Sequence, residues 1–268
     1  MHIRKAREIA SRFNVTTLLT RGNPKTAKGE ALGYLTAILH LSPHTSSGKN
    51  VCPMAELAGC IEACLTTKGR GGIAKDNETF IADDGRALPN NVIQHARINK
   101  TRFYHAERGA FMTLLAHEIS LFVAYAHKHG FKPAIRLNGT SDIRYEHGHY
   151  VEHKGTLYQS IFDCFPSVQF YDYTKIPNRK TCGIDNYHLT WSFSNASIKY
   201  AQSRPEQMSW AVIFRVKRGQ ELPSEYLGRK VIDADTTDLR FLDPAKCIAG
   251  LRAKGSAIRD TSGFVIDC

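Results

Sequence analysis

Apolar residues between Asn91 and His129 return every three or four positions. Phe111, Leu114, Leu115, Ile119, Phe122 and Ala126 form a stripe that predicts one long helix. Gly130 is placed to cap it and Pro133 to stop it. Before this helix, Leu35 to Leu41 is a continuous apolar run, so a buried strand is predicted from about Gly33 to Leu41. After it the apolar runs are short and β-like: Ala134 to Leu137, Val168 to Tyr173, His188 to Phe193, Ser209 to Val216, Lys230 to Ile232 and Phe264 to Ile266. Two further helices are expected, Tyr158 to Phe165 and Pro244 to Ala253. A strand, a loop, a long helix and another strand make a βα crossover, which implies parallel pairing. Residues 1–30 read as a basic polar lead-in with a short helix. The pattern predicts one α/β domain over residues 1–268, a partial or distorted barrel-like sheet with a cysteine loop after its first strand.

That loop carries the strongest chemical signal. The turn-rich segment from Ser42 to Asn50 leads into Cys52, Cys60 and Cys64, three of the seven cysteines in a Cys-x7-Cys-x3-Cys cluster. Thiolates are soft ligands for zinc and for iron–sulfur clusters. Cys60 and Cys64 are four apart and would also suit one buried helix face. Pro53 and Gly59 break such a helix, which favours metal binding. An odd number of cysteines and no secretory signal argue against a disulfide framework.

Polar residues follow three of the predicted strands. Arg136, Asn138, Gly139, Thr140, Ser141 and Asp142 end one, with Gly139 permitting close approach of a ligand. Asp172 and Lys175 end the next, and Ser192, Ser194 and Asn195 the third. Parallel strands bring their C-terminal ends together, so all are expected beside the cysteine loop. A helix cap at Ser141 or Asp142, and ordinary strand aromatics at Phe170 to Tyr173, are the plainer readings.

Charge adds one constraint. Lys and Arg number 36 against 25 acids, a net charge of +11. That field favours polyanions and makes a nucleotide or nucleic acid an expected partner. The cations come in small groups, such as Arg97, Lys100 and Arg102, or Arg179 and Lys180, which also suits a solvated surface. No stretch approaches the ~20 apolar residues of a membrane span, and a cytoplasmic location is expected.

Other motifs fail on detail. His117-Glu118 lacks the second histidine of a metalloprotease, because residue 121 is Leu. His147, His149 and His153 read as an exposed loop more than as a zinc set. The run Asp233, Asp235, Asp238 and Asp243 lacks the glycine and glutamate of a calcium loop. Lys68 to Gly72 lacks a P-loop ending.

Cys-Pro-x6-Cys-x3-Cys, then Arg136 to Asp142, then Phe170 to Lys175 resembles a bacteriophage family named after a mycobacteriophage gene product, number eighty-eight. The likeness runs from about residue 32 to 245. It implies a phage protein working in the host cytoplasm. By topology the chain also resembles radical S-adenosylmethionine enzymes, whose three-cysteine loop after the first barrel strand binds a [4Fe–4S] cluster. The spacing differs from their usual Cys-x3-Cys-x2-Cys. The resemblance implies that Cys52, Cys60 and Cys64 hold the cluster, with zinc as the alternative. Asn138, Gly139, Thr140, Ser141, Ser192 and Ser194 would meet S-adenosylmethionine, and Arg136, Asn138, Asp142, Asp172 and Lys175 would serve catalysis. Cys164, Cys182, Cys268 and His44 are candidates for a fourth, closing ligand.

Overall fold

The computed structural model describes residues 1–21, 28–67, 69–179, 181, 183–198, 205–217 and 219–268. Its centre is a ten-stranded sheet. Six of the strands are parallel and lie side by side in chain order: β2 (Tyr34–Leu39), β5 (Lys132–Arg136), β8 (Gln169–Thr174), β9 (Tyr187–Ser192), β10 (Trp210–Arg215) and β13 (Ile248–Arg252). β12 (Arg229–Asp233) pairs parallel with β13 from the far side. The edges are two-residue antiparallel strands, β1 (Leu19–Thr20) on β2 and β11 (Glu225–Tyr226) on β12. The strand path runs from β1 to β11 without closing on itself. Two small hairpins stand apart, β3 (Thr79–Ile81) with β4 (Ala87–Pro89) and β6 (Val151–His153) with β7 (Thr156–Tyr158).

Register sorts the side chains onto two faces. Ala37, Ile135, Phe170, Tyr187 and Leu189 face the helices. There α1 (Ile3–Arg12) and α3 (Arg108–Lys128) bury Ala6, Ile9, Phe111, Leu115, Ile119 and Phe122 against them. The other face is covered by residues 233–243, with Leu239 on Ala134 and Tyr171, and Ala234 on Ala211 and Ala249.

The expected long helix is two. α2 (Val92–Ala106) and α3 meet at Glu107, whose φ of −136° and ψ of 56° leave the helical region. The break brings Phe103 and Tyr104 onto Phe111, with ring centroids 5.5 and 5.2 Å apart, which a straight helix would hold about two turns, roughly 10–12 Å, apart along its axis. Among the described residues α3 alone has the length and composition to cross a membrane, yet it is the central core helix.

The helix expected from Pro244 to Ala253 is a correction: Ile248–Arg252 is strand β13, buried between β10 and β12. A short apolar run suits either element, and here Gly250 lets β12 approach, since a Cβ would meet Val231 at 2.7 Å. The helix expected from Tyr158 to Phe165 shrinks to α4 (Ile161–Cys164), following β7. The lead-in also belongs to the domain. α1 packs on α3, and Glu118 accepts the amides of Leu18 and Leu19 at 2.8–3.0 Å, fixing β1. The cysteine loop accordingly follows the second strand of the chain, the first of the parallel series.

Candidate metal centre

The cysteine loop is held down by backbone bonds at the C-terminal end of the sheet. Gly139 N donates to Leu39 O at 3.0 Å and Asp142 N to Val51 O at 2.8 Å, clamping the loop to the segment after β5. Gly139 is required: a Cβ there would lie 2.7–2.8 Å from Ile38, His40 and the Leu39 carbonyl. Past Cys52 the chain winds through successive tight turns, Ala55 N to Cys52 O, Ala58 N to Met54 O and Gly59 N to Glu56 O. Ser194 Oγ, beyond β9, donates to Ala58 O at 3.2 Å, and Ser262 Oγ donates to Gly59 O at 2.7 Å. The loop therefore spans the ends of β2, β5, β8 and β9.

Cys52, Cys60 and Cys64 form no disulfide, and all three are half-buried. The Cys52 thiol approaches Thr140 O at 3.7 Å and the Cys60 thiol approaches Ala55 O at 3.6 Å. Burial pushes Cys52 well above the usual thiol range, helped by Cys64, Asp142 and Cys60. Burial also pushes Cys60 up to about 11, Lys175 opposing and Cys64 and Asp142 adding to it. Cys52 and Cys60 thus share a neighbourhood with Asp142 and with Cys64, and Lys175 stands closest to Cys60. Arg97 joins it from α2, where it donates to Thr66 O at 2.7 Å beside Cys64. Among the described residues no three His, Cys, Asp or Glu side chains converge on a position for a single metal ion.

Beside the thiols lies a buried polar network. Asp172 accepts from Asn138 N at 2.7 Å, Asn138 Nδ2 at 3.1 Å and Tyr187 Oη at 2.9 Å. Burial raises its carboxyl to about 6, against the pull of Arg136, Arg179 and these donors. Asn138 Oδ1 accepts from Ser141 Oγ and Ile143 N, shaping the turn after β5. Asp142 accepts from Lys175 N at 2.7 Å, Thr174 Oγ1 at 3.2 Å and Arg179 Nη1 at 2.9 Å. Arg179 also grips Glu146 through two bonds of 2.8 Å.

Lys175 points toward the thiols. Its ammonium lies 4.5 Å from the Phe264 ring centroid, and burial brings its pKa down to about 8, with Cys60 and Asp142 acting the other way. Phe264 belongs to the C-terminal segment, which packs Ala257, Phe264 and Val265 on Ala63 and Cys60. It reaches there because β9 and β10 stay paired only to Ala211. Beyond that point β14 (Ile266–Asp267) pairs with Phe214 and Arg215. Asp260 ties the segment into a turn by accepting from Phe264 N and Val265 N at 3.1 Å each.

Of the predicted set, the structure gathers Cys52, Cys60, Cys64, Asn138 to Asp142, Asp172, Lys175 and Ser194 at one end of the sheet. Arg136 points to the other face, where it pairs with Asp238 at 3.2 Å and stacks on Tyr173. Ser192 also faces that side, in register with Ala211. Cys164 is buried by α4, and Cys268 is exposed beyond β14. His44 is a neighbour of Cys52 through its backbone, with its ring bonded to Thr45 at 3.0 Å. Cys182 lies outside the described residues, as does Lys68 of the glycine-rich segment. The three histidines are not a set: His149 bonds Tyr104 and His153 bonds Ser120. The four aspartates are ion-pair partners, Asp233 and Asp235 of Arg252, Asp238 of Arg136 and Asp243 of Arg240.

A family model for gene product 88 matches residues 17–268, taking in the cysteine loop, every strand end of the site and the C-terminal segment. The chain belongs to the gene product 88 family. It is a bacteriophage family, and the match extends past the stretch from about residue 32 to 245 that carries the sequence resemblance. No curated protein and no solved structure matches the chain.

Sequence reasoning missed Arg179, Glu146, Tyr187, Arg97 and Phe264. Arg179 and Arg97 were visible only as small basic groups. Their burial depends on partners in other segments, and nothing local announces it. Asp142 followed four residues on by Glu146 was the one available hint that a buried cation stands opposite.

Proposed function

We propose that this phage protein is an iron–sulfur protein of the host cytoplasm, with Cys52, Cys60 and Cys64 holding a [4Fe–4S] cluster. The observation that carries the reading is that the three thiols neighbour one another at the C-terminal ends of the parallel strands, with Asp142 beside Cys52 and Cys60 and Lys175 beside Cys60. Three thiols that each raise another's pKa favour a cationic centre between them. Six parallel strands adjacent in chain order support the finer description of the sheet as a partial barrel, because consecutive order is how barrels are wound.

On this reading the protein is a radical S-adenosylmethionine-like enzyme that modifies a nucleotide or nucleic acid. Bound and reduced, the cluster would supply one electron to cleave the cofactor's sulfonium. The turn from Asn138 to Ser141 and Ser194 would shape the cofactor's place, while Ser192, on the opposite face of β9, stands away from it. Asp142 and Lys175 border the thiols and Asp172 holds Asn138 in position, whereas Arg136 faces the other side of the sheet and has no place at this site. The loop is already pinned by Ser194, Ser262 and the backbone bonds to Leu39 and Val51, so a cluster is not needed as a staple.

The test is to reconstitute and reduce the protein with dithionite, then add S-adenosylmethionine. The expected result is methionine and 5′-deoxyadenosine in equal amounts, abolished by C52S, C60S or C64S. No cleavage, together with salt-sensitive binding to DNA or RNA, would instead identify a binding protein with a structural iron or zinc site.

A further inference from the structure

The sheet face turned away from the helices carries a surplus of buried donors. Tyr171 and His188 are cross-strand neighbours on β8 and β9, as are Tyr173 and Thr190, and Arg136 stands on the adjacent β5. Arg240 reaches this face from the covering segment. It lies next to His188, whose pKa is lowered first by burial and then by that guanidinium. Arg136, Tyr171, Thr190 and Arg240 are 7, 0, 0 and 1% exposed. Arg136 Nε, Tyr171 Oη, His188 Nε2, Thr190 Oγ1 and Arg240 Nε are all buried without a hydrogen-bond partner.

Of the acceptors nearby, Asp238 is already committed, taking Arg136 Nη1 at 3.2 Å and Tyr173 Oη at 3.3 Å. Asp243 Oδ2 lies 3.3 Å from Arg240 Nη1 as an ion pair without hydrogen-bond geometry, one acceptor against the whole set of donors. Both guanidinium Nε groups can only donate, and the hydroxyls are free to donate. Buried polar groups are seldom left unmet, so such a concentration calls for a missing acceptor. A single water offers two acceptor sites, too few for this set. Ala134, Ala211, Ala234 and Ala249 line the face around it, with Leu239 and Phe241 packed on Tyr171.

We infer that this face binds a small oxyanion, a carboxylate or phosphate group, between Arg136, Tyr171, His188, Thr190 and Arg240. The site lies across the sheet from the polar network of Asp142 and Asp172, and the inference stands whether or not the cysteines hold a cluster. Guanidinium forks suit carboxylate and phosphate oxygens, and a dry setting strengthens the bonds.

The experiment compares thermal unfolding and calorimetric titration of the full chain in sodium phosphate, sodium acetate and sodium chloride at one ionic strength. At least one of the two oxyanions is expected to raise the midpoint above that in chloride. Phosphate alone would mark a phosphoryl ligand, and acetate alone a carboxylate. Y171F and T190V, which remove only an unmet hydroxyl, are expected to weaken binding of the effective anion by about tenfold each. Neither should lower the midpoint in chloride, since removing an unmet buried hydroxyl relieves a cost. The inference is overturned if neither anion exceeds chloride, or if both variants bind the anion as the parent does.

Discussion

Arg179 commits its guanidinium to four partners. With a fully buried side chain it bonds Asp142, the two oxygens of Glu146, the Ile143 carbonyl and Tyr187 Oη. Arg179→Ala would leave two carboxylates buried without their cation, which costs about 3–5 kcal/mol in comparable pairs. Lysine cannot reproduce the fork, so Arg179→Lys should recover only part of the loss in urea unfolding. Equal stability of all three proteins would contradict this account of the network. At Gly139 the strain is steric: Gly139→Ala must push Ile38, His40 or the Leu39 carbonyl aside, at a cost of about 1–3 kcal/mol. His149 adds a pH dependence. Burial holds its pKa down to about 4, against an ordinary value near 6.5. Between those values the unfolded chain binds a proton that the folded chain refuses, so stability falls as pH drops through the window. The expected slope is about 1.4 kcal/mol per pH unit from this residue. In His149→Gln that contribution is absent, and the stability gap from the parent should narrow as pH falls from 6.5 to 4. A gap constant with pH would contradict it.

At the scale of elements, most strands could be placed from sequence because buried parallel strands are short and continuously apolar. β5, β8, β9, β10 and β12 stand within a few residues of their expected positions. β13 was misread because Ile248-Ala249-Gly250-Leu251 has no period to distinguish strand from helix. The break at Glu107 was hidden for another reason: the residue that leaves the helix is neither Pro nor Gly, Gly109 lies inside the first turn of α3, and tertiary packing of Phe103 and Tyr104 on Phe111 accompanies the break. The C-terminal segment looked like a last strand and proved to be a cover for Cys60 and Lys175 as well. Phe264→Ala should therefore cost about 3–5 kcal/mol and open the site. The rate at which a thiol reagent labels Cys60, resolved by peptide mapping, should rise in that variant. An unchanged rate would mean that Phe264 does not cover the thiol.

For the whole molecule, the gathering of strand ends could be read from sequence because parallel strands carry the loops that follow them to one side. The split of the polar residues between two faces could not. It depends on where β5 ends: residues two apart share a face within a strand, but the chain leaves the sheet after Arg136, so Asn138 turns to the other side. Net charge describes the molecule no better at that resolution: of its cations, Arg97, Lys100, Arg136, Arg179 and Arg240 are wholly or largely taken up inside. The central claim concerns the three cysteines, and iron and sulfide analysis of anaerobically purified protein tests it most directly. The account predicts a brown protein with iron and inorganic sulfide in equal amounts, about four of each per chain, lost in C52S, C60S and C64S alike. A colourless protein carrying zinc or no metal, or one whose iron survives all three substitutions, would contradict it.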